Sequence, residues 1–84
     1  MEVTQTQAIE IEDIVDAIKP ILAGHPPMIQ SVVLAELLSI WLAGFVVPGK
    51  RKETERLRET MLKAHCQLVR DLTKVNAEIL GTDQ

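Results

Sequence analysis

The chain has no tyrosine, one tryptophan, one phenylalanine, one cysteine and two histidines in 84 residues, and each shortage closes a class of explanation. A lone Cys66 excludes a disulfide framework within the chain and suits a reducing cytoplasm better than secretion. Trp41 and Phe45 alone offer no stacking platform for single-stranded nucleic acid. There is no glycine-rich phosphate loop, no Ser/His/Asp or Cys/His arrangement and no paired carboxylates, so neither enzymatic activity nor a cofactor is expected. His65 and Cys66 are neighbours, but adjacent helical positions point about 100° apart and His25 lies far along the chain, so no metal site is expected. The acidic start MEVTQTQAIEIEDIVD lacks the basic and then apolar character of a signal peptide.

What is present is apolar. Hydrophobic residues make up 46% of the chain, and a domain this small buries only about 60 to 65% of the surface its unfolded chain exposes. Without disulfides or a metal, oligomerisation is the remaining way to gain stability. The net charge of -3 is unevenly spread: residues 1–49 carry six acids against Lys19, about -5, whereas residues 50–84 carry eight Lys or Arg against six acids, about +2. Opposed halves of this kind can guide docking between chains, modestly at ordinary salt.

Three helices follow from the periodicity, within a single domain. Residues 1–6 read as a disordered tail. The first helix, 7–23, is capped by Thr4 or Thr6 and places Ile11, Ile14, Val15, Ile18 and Leu22 on one stripe under an acidic surface of Glu10, Glu12, Asp13 and Asp16. Pro20 should end it near Lys19 or kink it there, and Gly24 should close it. After the corner Gly24-His25-Pro26-Pro27, the second helix runs over 26–47. It contains MIQSVVLAELLSIWLAGFVV, with Gln30, Ser31, Glu36 and Ser39 scattered around the axis, the pattern of a helix contacted on several sides. The third helix, 51–80, is strongly amphipathic, and Gly81 caps it before a short tail, 81–84.

The third helix carries the argument for association. Leu57, Met61, Ala64, Leu68, Leu72, Val75 and Ile79 share one face, widened on one flank by Leu62, Val69 and Leu80. Thirty residues span about 45 Å, longer than the ~30 Å diameter of a compact chain of this size. The fold class that follows is all-α: an acidic helix, an apolar helix and a long amphipathic helix assembling as an intertwined dimeric bundle, with the face Leu57–Ile79 as the oligomer interface. The expected role is a cytoplasmic homodimeric interaction or regulatory module.

Two alternatives compete. Residues 28–47 match the length of a bilayer span and are followed by Lys50, Arg51 and Lys52, although Glu36 near the centre and the inward position of Trp41 weigh against it. The same basic cluster with Arg56 and Arg58 raises nucleic-acid association, weakened by Glu53, Glu55, Glu59 and a pI near 5.3. A polar edge of Arg51, Arg58, His65 and Asn76 flanks the third helix's apolar face. From it, Arg58 or His65 could neutralise Glu36, in the same chain or its partner, while Asn76 could fix the register of paired helices.

Overall fold

The computed structural model describes residues 2–84, which form three α-helices and no strand: α1 (Gln5–Leu22), α2 (Pro27–Ala43) and α3 (Arg51–Leu80). They divide into two compact units, one running to Ala35 and one from Glu36 to Gln84, so that α2 contributes residues 27–35 to the first and 36–43 to the second.

In the first unit, helix α1 begins earlier than the expected tail allows. Thr4 and Gln7 form a reciprocal capping box: the Gln7 N–H donates to the Thr4 hydroxyl at 3.1 Å and the Thr4 N–H to the Gln7 side chain at 3.0 Å. Two otherwise orphaned backbone donors are satisfied together, which fixes the start at Gln5 and makes residues 5 and 6 helical. The helix also runs through Pro20 to Leu22, one residue short of the expected end at 23 and past the alternative stop near Lys19. The lost donor concerns only the Pro20 position, because the Ala23 N–H still reaches the Lys19 carbonyl at 2.9 Å. The Leu22 carbonyl, open at the helix end, accepts from the Gln30 side chain at 2.9 Å, which ties α1 to the first turns of α2. Gly24 makes the turn between them at φ 85°.

In the second unit, α2 stops at Ala43, four residues short of the expected end at Val47. The Gly44 N–H is shared between the Ile40 and Trp41 carbonyls and the Phe45 N–H turns back to Leu42, the tightening typical of a helix end. Residues 45–47 then run irregularly to a turn at Pro48 and Gly49, and α3 starts at Arg51. This shortening removes the twenty-residue rod on which the single-span alternative rested. Seventeen residues rise about 25 Å, below a hydrocarbon core of about 30 Å. Among the described residues, no helix is long and apolar enough to cross a membrane. Helix α3 closes as expected: Gly81 adopts φ 72° and the Thr82 N–H returns to the Ala77 carbonyl at 2.8 Å.

The decisive property is what these helices leave uncovered. Among the described residues no hydrophobic side chain is fully buried, and the single buried residue is Thr54, 8% exposed. In α1 the stripe is open at Ile11, Ile14, Val15 and Ile18 and half-buried only at Leu22, and α2 exposes Ile29, Val32, Leu37 and Ile40.

Candidate functional site

Two features of the second unit are built from named side chains: a hydrogen-bonded corner between α2 and α3, and the bare outer half of α3.

The corner rests on Thr54 and Arg58, one turn apart on α3. The Thr54 hydroxyl accepts from the Val47 N–H at 2.9 Å and donates to the Val47 carbonyl at 3.2 Å, so one side chain satisfies both polar groups of a residue outside regular structure. Arg58 reaches over the end of α2: its Nε donates to the Phe45 carbonyl at 3.1 Å and its Nη2 to the Ala43 carbonyl at 2.9 Å. A guanidinium there meets the negative end of the α2 dipole as well as two open carbonyls, and its planar fork suits both at once. Beside it, Trp41 packs edge-on against Phe45, centroids 5.2 Å apart, and against the tilted ring of His65 at 5.4 Å. Leu38, Leu42, Leu57, Met61 and Leu62 are half-buried around this corner.

Replacing Thr54 with the isosteric valine is expected to leave the Val47 N–H without its partner, while the Val47 carbonyl keeps the Lys50 N–H at 3.1 Å, and to cost about 1–3 kcal/mol. Thermal unfolding of Thr54→Val tests this, and a midpoint equal to that of the parent chain would show that water replaces the hydroxyl without loss.

This arrangement separates the residues expected to share a buried polar contact. Within one chain the Glu36–Arg58 and Glu36–His65 pairs do not form: Arg58 is committed to backbone carbonyls, His65 lies against Trp41, and Glu36 is exposed with no ion pair among the described residues. Asn76 lies exposed near the far end of α3. In the basic cluster, Lys50 pairs with Glu53 at 3.7 Å and Arg51 with Glu55 at 3.4 Å, both pairs exposed, so with Arg58 three of the five cations have partners in the chain. No family model, no curated protein and no solved structure matches the chain. The reading of its surfaces therefore rests on their own chemistry.

The face expected as an oligomer interface divides in two. Leu57 and Met61 are half-buried at the corner, whereas Ala64 and the residues beyond it are open. Leu68 and Leu72 remain about half exposed, at 52% and 49%, Val75 likewise, and Ile79 and Leu80 are 75% exposed. Val69, Leu72, Asn76 and Leu80 line an open groove of about 370 Å³ along this half of the helix. Thr54 itself was not expected as a key residue. Its signal in the sequence is its place one turn before Leu57 on the same seam, where a polar residue stands at the head of an otherwise apolar row.

Proposed function

We propose that the chain is a non-enzymatic helical module that works as a homodimer, with the apolar face of α3 as the main interface and α2 enclosed in the assembled bundle. A role in protein–protein interaction or regulation in the cytoplasm follows from it, in keeping with a single cysteine and no catalytic constellation in the sequence.

The observation that carries the reading is the run of open aliphatic side chains from Leu68 to Leu80. These six residues, Leu68, Val69, Leu72, Val75, Ile79 and Leu80, leave on the order of 600 Å² of apolar surface in the open, at the upper end of a single patch on a monomer. Pairing two such faces hides about 1,200 Å², the lower bound for a specific interface, before any contribution from α1 and α2. Glu36, exposed on an apolar helix, then finds its hydrogen-bond donors in the partner or in water at the rim.

Light scattering at micromolar concentration tests the reading. The expected mass is twice 9.4 kDa. The mass of one chain under those conditions would overturn it.

A further inference from the structure

From the pattern of the open half of α3 we infer how two copies meet: the segments 68–80 pair antiparallel across a two-fold axis, Leu68 against Ile79 of the second copy and Leu72 against Val75. This deepens the homodimer reading and rests on it.

The first argument is spacing. The seam residues Leu68, Leu72, Val75 and Ile79 are separated by steps of 4, 3 and 4, a pattern that reads the same in both directions. A helix face of this kind is its own complement when turned end for end, so an antiparallel pair brings all four residues into layers at once and joins a large aliphatic residue to another in each layer. A two-fold interface pairs one patch with itself, and the end-for-end symmetry of the spacing lets the antiparallel arrangement do so in register.

The second argument is the difference between the flanks. Taking about 100° per residue, one side of the seam carries Val69, Asn76 and Leu80, and the other carries Gln67, Asp71, Lys74 and Glu78. When two helices face each other in parallel, opposite flanks meet, so each apolar flank would lie against the carboxylates of its partner. When they run antiparallel, like flanks meet. The apolar side, with its open groove, then closes on its copy, and the charged side meets its copy in water, where Asp71 comes near Lys74 of the other chain. Burying a carboxylate against leucine and valine without a partner is unfavourable by several kcal/mol, which decides the orientation. Asn76 is the one strongly polar side chain on the apolar flank. It tolerates only registers that leave it a hydrogen-bond partner, so it selects among them.

Disulfide trapping separates the orientations, using full-length chains carrying Cys66→Ser to remove the native thiol. Leu68→Cys and Ile79→Cys chains are prepared separately, mixed, refolded together and oxidised. The expected result is a covalent dimer from the mixture and none from either variant alone. The reason is distance: residue 68 lies opposite 79 of the partner, and eleven residues, about 16 Å of helix, from the partner's own 68, beyond the ~7 Å Cα separation a disulfide spans. Leu72→Cys with Val75→Cys provides a second pair, read in the mixture only because three residues, about 4.5 Å of helix, do not keep residue 72 from the second copy's own 72, so the outcome does not rest on one variant's folding.

Cross-linking of Leu68→Cys or Ile79→Cys to itself would overturn the proposal in favour of parallel helices. Absence of any cross-link while the same chains weigh as dimers would also overturn it, because the interface would then lie elsewhere. A parent chain that weighs as a monomer removes the homodimer itself, and the inference with it.

Discussion

On the proposed homodimer, Leu72→Asp is expected to leave single chains at micromolar concentration, the largest effect expected of any one substitution in this protein. Leu72 lies near the middle of the open seam and is already half exposed in the chain by itself, so a carboxylate there stays hydrated when the chains are apart. The intrinsic loss of helix propensity on replacing leucine with aspartate is below about 0.7 kcal/mol. In the proposed antiparallel pair the same carboxylate would be pressed against Val75 of the second copy, and by symmetry it would be introduced twice. An uncompensated buried charge typically costs about 3–5 kcal/mol. Even half of that at each of two sites weakens association by roughly a hundredfold to a thousandfold.

A control separates this effect from net charge. Arg70→Asp alters charge by more than Leu72→Asp does but lies on the opposite face of α3, and it is expected to leave the mass at two chains. Light scattering of both variants between 1 and 100 µM reads the result, those concentrations being on the order of those where a thousandfold change from nanomolar affinity becomes visible. A Leu72→Asp chain that still weighs as a dimer would exclude this part of α3 from the interface. The variant's unfolding midpoint should then fall and lose its dependence on protein concentration.

The parts of the fold set by local chemistry were legible in the sequence, and those set by a side chain arriving from a distant position were not. Helix α3 runs over the expected residues because its periodicity, its preceding Pro48-Gly49 and its closing Gly81 all act within a few residues of its ends. The start of α1 is also local, but it depends on Gln7 acting as the second half of a capping box, a role that the Thr4 and Thr6 alternatives left unassigned. The end of α2 was misplaced for a different reason. Phe45, Val46 and Val47 continue the apolar run and nothing local forbids helix until Pro48. What favours an earlier stop, besides Gly44, is Arg58 and Thr54, thirteen and seven residues further on, which hold the carbonyls of Phe45 and Val47 outside the helix. A hydrogen-bond partner at that separation has no periodic signature. The same fact explains why Arg58 was assigned to Glu36: charge complementarity was visible, whereas the open carbonyls at the end of a shorter helix were not. The outer face of α3 was legible because amphipathicity reports which side of a helix avoids water, although it does not report what covers that side.

If Arg58 is the clamp that ends α2, truncating it should unfasten the corner, and the choice of replacement should reveal how. Arg58→Ala removes two hydrogen bonds from a charged donor, each contributing about 1.5–3 kcal/mol in a buried setting. The side chain is only half-buried, so water recovers part of this and the net loss should be about 2 kcal/mol, on the order of 10 °C in the unfolding midpoint. Arg58→Lys keeps the positive charge at the negative end of α2 but has no planar fork to reach the Ala43 and Phe45 carbonyls together, so it should restore less than half of that loss. Equal midpoints for the lysine variant and the parent chain would mean that charge alone suffices and that the paired geometry is incidental. The double variant Arg58→Ala, Thr54→Val sharpens the test. Both side chains hold the same five-residue segment, 43–47, so once either is removed the segment is already partly free and the second removal should cost less than it does alone. Strict additivity of the two losses would indicate that Arg58 and Thr54 fasten independent parts of the chain, and the corner would then not act as one unit.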